Sequence, residues 1–236
     1  MASFIQADLK NRLLSRMSSR DFALIERDLV FVEMPRGYEL ITADQLIEYC
    51  WFIESGVASV VATSADGAET EVGIVGRDGM LDVAIVLGVE RSPLRSFIQI
   101  AASGFRVPVR SLNQIKQTSA TFRDQLNCYA YDYTIQIAQT ALANASFSVE
   151  ERLARWLLMC ADRVGDGEIA LTHESLSIML NVRRAGVTLA IQSLARAGFL
   201  KSQRGTLSIT DRAALTKFAH DAYTPLAAQT HAGNGT

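Results

Sequence analysis

The sequence predicts an α+β fold in which an N-terminal β-roll is followed by a long helix and a C-terminal winged helix-turn-helix. Three observations support this prediction. Short apolar runs separated by turn residues fill residues 30–109, helical spacing dominates residues 120–145, and residues 171–209 read as helix, turn, helix and hairpin. Short strands at regular intervals favour a roll or barrel, whereas apolar residues repeating about every 3.6 positions favour helices.

The length and composition set the limits of the fold. The chain has 236 residues, 49 % of them hydrophobic, which is enough for two domains with a sizeable core. We expect no transmembrane helix, because no run of about 18 apolar residues occurs, and no export signal at the N-terminus. Cys50, Cys128 and Cys160 are far apart and form no CxxC pair, so we expect reduced thiols and a cytoplasmic location.

The first half of the chain predicts helices followed by strands. Residues 3–28 have helical spacing with a break at Ser18–Ser19, and a turn is expected at Ser55–Gly56. The predicted strands are Leu29–Met34, Gln45–Ile53, Val57–Ala62, Glu71–Val75, Leu81–Leu87, Ser96–Ala101 and Gly104–Val109. The strand region contains no histidine, which argues against a cupin-like metalloenzyme. We therefore expect no catalytic residue, no metal site and no cofactor.

A long helix is predicted from about Ala120 to Ala145. Its apolar stripe has near-heptad spacing and ends at Ala141, after the five large residues Phe122, Leu126, Tyr129, Tyr133 and Ile137. Such a stripe can face the core of its own domain, or it can also pair with a second copy of the helix. We favour pairing and predict a homodimer through these five residues, because a helix-turn-helix reads DNA best as a pair.

The region 171–209 has the pattern of a DNA-reading domain. Thr172 can cap a short first helix, and Asn181 tolerates the left-handed conformation of a tight turn. A second helix then runs from about Arg183 to Ala197, and Gly198 is suited to end it. The second helix of such a pair enters the major groove of DNA, where its first residues reach base edges.

The second helix and the hairpin carry side chains suited to DNA. Arg184 and Thr188 lie one turn apart, opposite the apolar stripe of the helix, and Arg183 lies beside them. An arginine there can bond a guanine edge or hold a phosphate. Lys201 and Arg204, on the predicted wing, suit contacts to the DNA backbone. The alternative is a small helical subdomain whose arginines are solvated.

The charge is distributed unevenly along the chain. Residues 172–217 contain seven basic and two acidic residues, a net charge of +5, whereas residues 1–147 contain 13 basic and 17 acidic residues, a net charge of −4. The whole chain has a net charge of only −2. A local positive surface supplies the salt-sensitive part of DNA affinity, so this asymmetry supports DNA binding by the C-terminal region.

A capping box marks the start of the C-terminal domain. Ser148 is followed three residues later by Glu151. At this spacing the side chain of each residue can accept a hydrogen bond from the backbone amide of the other. The predicted domains are a β-roll at 1–117, a dimerisation helix and hinge at 118–147, a DNA-binding domain at 148–223 and a disordered tail at 224–236.

This order of elements resembles the Crp/Fnr family of transcription regulators. The resemblance is carried by residues 171–200, LTHESLSIMLNVRRAGVTLAIQSLARAGFL, and by residues 49–57, YCWFIESGV, which are similar to the family's aromatic–Ile–x–x–Gly–Val strand and turn. It implies a roll that senses a small molecule, a helix that dimerises and a domain that binds a palindromic operator in double-stranded DNA. RNA polymerase is a further partner that it allows.

The resemblance also places individual residues at the DNA. It puts Ala185 and Leu189 at DNA-facing positions, together with Arg183, Arg184 and Thr188. The family usually carries a glutamate and a basic residue where this chain has Ala185 and Leu189. The operator sequence therefore cannot be transferred from the family to this chain.

The effector pocket implied by the resemblance is degenerate. The stretch Gly79-Met80-Leu81-Asp82 stands where the family has Gly-Glu for a ribose, and Arg95 and Ser96 resemble its phosphate-binding pair. Arg95 can lie in this pocket or in solvent. We predict DNA binding without cyclic AMP. The resemblance implies an iron–sulfur cluster only for the family's oxygen-sensing branch, which holds it on N-terminal cysteines; no cysteine precedes Cys50 in this chain, so we predict no such cluster. The effector is unknown, and a scaffold protein that holds DNA nonspecifically is the alternative function.

Overall fold

The computed structural model describes residues 5–165, 167–203 and 205–225. Along these residues the chain forms short helices, a strand-rich region, a long helix, and then helices with a β-hairpin. The α+β class and the predicted order of its parts are therefore confirmed.

The described chain forms two compact units. The first contains residues 5–60 and 74–134, and the second contains residues 61–73 and 135–225. The long helix is shared between the units at Thr134, and residues 61–73 pack with the C-terminal unit. Each unit is described separately below.

Short helices precede the sheet of the first unit, with the predicted break between them. The elements are a 3-10 helix at Gln6–Asp8, α1 (Arg12–Ser15), α2 (Ser19–Ile25) and a 3-10 helix at Glu26–Asp28. Ser18 caps α2 by accepting a hydrogen bond from the amide of Asp21. Asn11 caps α1, and its amide group also donates to the carbonyls of Ile53 and Gly79 at 3.0 and 2.7 Å. The N-terminal segment is thereby tied to the sheet.

The roll is built on six strands among the described residues. They are β1 (Val30–Met34), β2 (Glu39–Ile41), β3 (Tyr49–Thr63), β4 (Glu69–Val75), β5 (Met80–Leu81) and β6 (Arg95–Pro108). The path of the sheet is β1-β6-β3-β4, with β2 also pairing with β6 and β5 with β3. Phe52, Ile98 and Phe105 are fully buried and form part of its core.

The predicted turn at Ser55–Gly56 is wrong, because β3 runs through it without interruption. Gly56 has φ +82°, and a Cβ added there would lie 2.4 Å from the carbonyl oxygen of Ala101. The glycine thus permits the close approach of β6 to β3, and such close backbone contacts are one reason for a glycine inside a strand. The two strands predicted at 96–101 and 104–109 are likewise one strand, β6.

The strand predicted at Leu81–Leu87 is wrong, because most of it is the helix α3 (Val83–Val86). Asp82 caps the start of this helix by accepting a hydrogen bond from the amide of Ala84 at 3.0 Å. At its other end the Lys116 ammonium donates to the carbonyls of Ile85 and Val86 at 2.8 Å each. A continuous apolar run does not distinguish a buried strand from a buried helix, and here side-chain caps decide in favour of the helix.

Two helices follow β6, namely α4 (Val109–Thr118) and α5 (Ala120–Ser146). The long helix was predicted at these positions, and its pairing with a second copy through the apolar stripe stays a prediction. Phe122, Leu126, Tyr129 and Tyr133 are buried inside the first unit of the same chain, with exposed fractions of 0–8 %. These four residues therefore contribute mainly to the core of their own unit, whereas Ile137 is half-buried in the second unit.

Tyr129 accounts for the close packing of α5 against the roll. Its hydroxyl donates to the carbonyl of Met80 at 2.7 Å. A Cβ added to Gly79 would lie 2.1 Å from the Tyr129 ring, so this position accepts only glycine without rearrangement. The ring packs on one segment of the roll, and the backbone of the same segment accepts the hydrogen bond of the Tyr129 hydroxyl. This side chain therefore has no free hydrogen-bond donor for an interface.

The described part of the second unit contains a domain of four α-helices with a small sheet. Its elements are α6 (Val149–Val164), β7 (Ile169–Ala170), α7 (His173–Met179), α8 (Arg184–Arg196), β8 (Leu200–Gln203), β9 (Thr206–Ile209), α9 (Arg212–Ala219) and a 3-10 helix at His220–Ala222. The sheet order is β7-β9-β8. The predicted capping box starts α6: the Ser148 hydroxyl accepts from the amide of Glu151, and the Glu151 carboxylate accepts from the amide of Ser148.

Residues 61–73 pack in this unit through a buried carboxylate. Glu71 is 5 % exposed and accepts a hydrogen bond from the indole of Trp156 at 2.7 Å. Burial lowers the pKa of the neighbouring Arg155 guanidinium to about 10, and the Glu71 charge opposes that shift. Arg155 therefore stays charged at neutral pH, and its positive charge compensates the negative charge of the buried Glu71 carboxylate. These interactions hold residues 61–73 on α6.

Candidate nucleic-acid interface

The helix-turn-helix is formed by α7 and α8, as predicted. Thr172 caps α7 through the amide of Ser175 at 3.1 Å, and Asn181 has φ +47° in the turn. Gly198, with φ +78°, follows the end of α8. The core-facing side of α8 consists of Val187, Ala190, Ile191 and Leu194, all of them buried.

The other side of α8 presents the predicted DNA-facing residues to solvent. Arg183, Arg184, Ala185 and Leu189 are exposed, Leu189 to 62 %, and Thr188 is half-buried. The two guanidinium groups can bind guanine edges or phosphates. The methyl groups of Ala185 and Leu189 can contact the methyl group of thymine. The five residues share one surface.

Two further residues on this surface were missed by the sequence-based prediction. Gln192 is exposed one turn beyond Thr188, and its amide can bond an adenine edge bidentately. Its spacing of four residues from Thr188 is the signal that could have identified it. His173 is the other residue, and no periodicity identifies it, because it lies on α7 and reaches α8 only in the folded domain.

His173 forms a direct link between the two helices. Its Nδ1 lies 3.0 Å from the Thr188 hydroxyl, which in turn donates to the carbonyl of Arg184 at 3.1 Å. The ring of His173 is half-buried. This chain of hydrogen bonds fixes the Thr188 side chain in the middle of the exposed face.

The wing is a short antiparallel hairpin with one described cation. In the register of β8 and β9, Leu200 lies opposite Ile209 and Lys201 opposite Ser208. Leu200 is buried and anchors the strand, whereas Lys201 is exposed. Arg204, the other predicted wing contact, lies outside the described residues.

Arg152 and Arg212 support the domain and are not part of this face. The Arg152 guanidinium donates to the carbonyl of Leu180, the residue that follows α7. Arg212 forms an ion pair with Asp162 at 2.5 Å, and Asp162 also accepts from the hydroxyl of Tyr223. The positive charge on the surface of the helix-turn-helix therefore comes mainly from α8 and Lys201.

The predicted effector residues differ in burial and in the face of the strand that they occupy. Asp82 and Ser96 are both buried, and the Asp82 Oδ2 and Ser96 Oγ atoms have no hydrogen-bond partner in the described part of the chain. Arg95 lies 4.6 Å from the centre of the Phe97 ring, on the same strand. Alternate strand residues share a face, so Arg95 and Phe97 lie on the face of β6 opposite Ser96.

A cleft of about 810 Å³ lies elsewhere in the first unit, between α2 and the junction of α4 with α5. It is lined by Arg20, Asp21 and Thr118 among others, and by none of the predicted effector residues. In the described ranges no group of three or more histidine, cysteine or acidic side chains could hold a metal ion. None of the helices described is long and apolar enough to cross a lipid bilayer.

The domain that carries this surface matches a known family. Residues 151–218 match the family model described as the Crp-like helix-turn-helix domain. Similar solved structures include FixK2 from Bradyrhizobium japonicum, with a TM-score of 0.69, 17 % identity and coverage of 81 % of this chain and 98 % of that one. A transcriptional regulator of the CRP family from Thermus thermophilus has a TM-score of 0.66, 15 % identity and coverage of 80 % and 96 %.

A third similar structure is the c-di-GMP responsive global regulator CLP of Xanthomonas campestris. Its TM-score is 0.63 at 14 % identity, and the match covers 82 % of this chain and 100 % of that one. A comparison with curated protein sequences finds no match. At these identities the similarity to solved structures is one of fold, and the family model identifies the helix-turn-helix itself.

Proposed function

We propose that this chain, which carries a Crp-like helix-turn-helix domain on the fold of the Crp/Fnr transcription regulators, is a homodimeric, sequence-specific transcription regulator of the cytoplasm. The observation that carries the proposal is the surface of α8, where Arg183, Arg184 and Thr188 lie together opposite a fully packed face. Such a protein regulates rather than catalyses, and RNA polymerase is the further partner that this role implies.

Specific reading of DNA is favoured over nonspecific holding. The exposed face of α8 offers Arg184, Thr188 and Gln192, three side chains that can make directed hydrogen bonds to base edges. A scaffold that holds DNA only through charge needs lysines and arginines alone. The fixed Thr188 hydroxyl, in particular, is a feature of a surface with defined geometry.

The homodimer is best accommodated by the face of α5 opposite the stripe first predicted. Exposed residues recur along it at alternating steps of three and four positions, which is the heptad spacing of paired helices. They are Asp124, Asn127, Tyr131, Thr134, Ala138, Ala141 and Ala145. The small residues near the C-terminal end permit close approach of a second copy of the helix.

The proposed effector pocket is degenerate, and DNA binding needs no cyclic AMP. Asp82 already uses one carboxylate oxygen to cap α3, and Arg95 lies over Phe97 on the other face of β6 from Ser96. A buried cyclic phosphate needs a charged fork in compensation for its lost hydration. Calorimetry with cyclic AMP and cyclic GMP should detect no binding; binding coupled to a tenfold gain in DNA affinity, about 1.4 kcal/mol, contradicts this.

Selection of DNA from a random-sequence library by the full chain tests the proposed function. We expect a palindromic consensus with two half-sites, and an affinity for it on the order of a thousandfold or more above that for random duplex. The measurement should be repeated at several salt concentrations, because the nonspecific share of affinity depends strongly on salt. Equal affinity for selected and random duplexes would establish the scaffold function instead.

A further inference from the structure

We propose that the cleft of about 810 Å³ in the first unit is a binding site for a small zwitterion, either a free amino acid or a short peptide. One wall of the cleft is formed by α2 and the 3-10 helix at Glu26–Asp28, and the other by the end of α4 and the start of α5. Small-molecule sites usually have volumes of about 300–1,000 Å³, so the cleft is large enough for such a ligand. This inference goes beyond the proposed function, because it involves no DNA.

The charges on the walls of the cleft cancel. Among the described residues, the charged side chains that line it belong to two Arg-Asp dipeptides seven positions apart, Arg20-Asp21 and Arg27-Asp28. Seven residues are close to two helical turns, which brings both dipeptides to the same side of this helical segment. A lining without net charge favours neither a polyanion nor a cation, but it matches a ligand that carries one charge of each sign.

The carboxylate of the first dipeptide is already satisfied within the protein. Asp21 is 5 % exposed, and its Oδ2 accepts a hydrogen bond from the hydroxyl of Thr121 at 3.0 Å. Burial acts to raise the pKa of Asp21, but hydrogen bonds from neighbouring hydroxyl groups and the positive charge of Arg20 outweigh burial and lower it. Asp21 is therefore ionised at neutral pH and balances the charge of Arg20.

The second dipeptide carries one free charge of each sign. Within the described ranges, the Arg27 guanidinium and the Asp28 carboxylate form neither an ion pair nor a side-chain hydrogen bond. Arg27 is exposed and Asp28 is half-buried. A guanidinium group binds a carboxylate through two parallel hydrogen bonds, and a carboxylate accepts hydrogen bonds from an ammonium group. The carboxylate of the ligand therefore binds Arg27, and its ammonium group binds Asp28.

The remaining lining suits the body of an aliphatic amino acid. Leu24 is 41 % exposed and lies between the two dipeptides in the sequence, and Ile115 lines the cleft from α4. These side chains provide an apolar surface beside the charged groups, the usual composition of a small-molecule site. Gln114, which is exposed on the same wall, can bond the peptide group of a longer ligand through its amide.

The test is isothermal titration calorimetry of the full chain, without DNA, against two panels of ligands. The first panel contains the free amino acids, and the second contains dipeptides built from them. We expect saturable binding in the micromolar to millimolar range by members with an aliphatic side chain. Tighter binding by the first panel identifies a free amino acid as the ligand, whereas tighter binding by the second identifies a short peptide.

Two modified forms of the tightest ligand test whether both charges are recognised. The N-acetylated form lacks the positive charge, and the carboxamide form lacks the negative charge. Each should bind about tenfold to a hundredfold more weakly than the zwitterion, which corresponds to the loss of one charged hydrogen bond.

Variants test the two residues to which the charges are assigned. Arg27→Gln and Asp28→Asn should each weaken binding by a similar factor, about tenfold to a hundredfold. Arg16→Gln and Glu26→Gln are the matched controls, since neither residue lines the cleft, and both should bind like wild type. Circular dichroism of each variant shows that it is folded.

Three results overturn the inference. The first is that no member of either panel binds at millimolar concentration, and the second is that the dicarboxylate succinate binds as tightly as the best zwitterion. The third is that both cleft variants bind like wild type. None of these results affects the proposed function, because the selection of DNA by the full chain tests it separately.

Discussion

The helices α5 and α8 both carry an apolar stripe at helical spacing, but the stripe identified the exposed face for DNA on α8 and was assigned to a second copy on α5. On α8 the stripe packs into the C-terminal unit and leaves the opposite, arginine-bearing face exposed, as predicted. On α5 the stripe was predicted to meet a second copy, but most of it is buried in the roll of its own chain. In both helices the exposed side opposite the stripe is therefore the side that is free to contact a partner, which is DNA for α8 and a second copy for α5 in the proposed function.

The physical reason is that large apolar side chains pack against the nearest apolar surface of their own chain. For α5 that surface is the sheet of the first unit. The face of α5 that remains exposed carries small and polar residues together with Tyr131, at the heptad spacing by which helices pair. Substitutions on each face of the two helices therefore have different expected effects.

The largest effect is expected from truncating a leucine of the buried stripe. Leu126→Ala should lower the free energy of unfolding by about 2–5 kcal/mol, since Leu126 is fully buried. Leu189→Ala, the same change at a residue that is 62 % exposed on α8, should alter it by less than about 0.5 kcal/mol. Urea unfolding measures both. A Leu126→Ala chain of wild-type stability that becomes monomeric would restore the original assignment of the stripe.

The next effect is expected on the dimer. Ala138→Asp places one carboxylate of each copy at the proposed contact, and we expect the dissociation constant to rise about a hundredfold, or roughly 2.7 kcal/mol. Ala138→Ser keeps the residue small and should leave the dimer intact. Light scattering across a dilution series measures the change. An aspartate variant that dimerises like wild type would place the interface elsewhere.

A smaller loss is expected from the first turn of α8. Arg184→Ala should cost about 1–3 kcal/mol of affinity for the selected duplex and relax the preference at one base pair. Lys201→Ala, on the wing, should weaken selected and random duplexes alike, because a backbone contact does not read sequence. Fluorescence anisotropy with both duplexes tests this. Equal losses on both duplexes for Arg184→Ala would reassign this residue to the backbone.

The smallest effect is expected one turn further along the same face. Gln192→Ala should cost about 0.5–1.5 kcal/mol of affinity for the selected duplex, the usual contribution of one neutral hydrogen bond. Ser193→Ala, at the next exposed position, serves as the control and should change it by less than about 0.5 kcal/mol. If the two variants bind equally, Gln192 does not reach a base.

Local signals allowed much of the fold to be predicted. The cap at Thr172, the left-handed Asn181 and the Ser148–Glu151 box were predicted and are all present. Each depends on residues within a few positions of one another, so spacing alone carries the information. The exposed face of α8 was predictable for the same reason, since the buried stripe of a single helix determines which side remains.

The order of elements, the caps and the candidate DNA-reading face could be predicted from the residues alone, because they depend on short-range periodicity and backbone hydrogen bonding. The packed fold alone shows which surface covers most of the α5 stripe, that Gly56 lies inside a strand beside Ala101, and that His173 contacts Thr188. These contacts join residues far apart along the chain, and the amino acids at either end carry no local signal of their partner. Burial against the rest of the fold selects that partner, so it emerges only when the whole chain has packed.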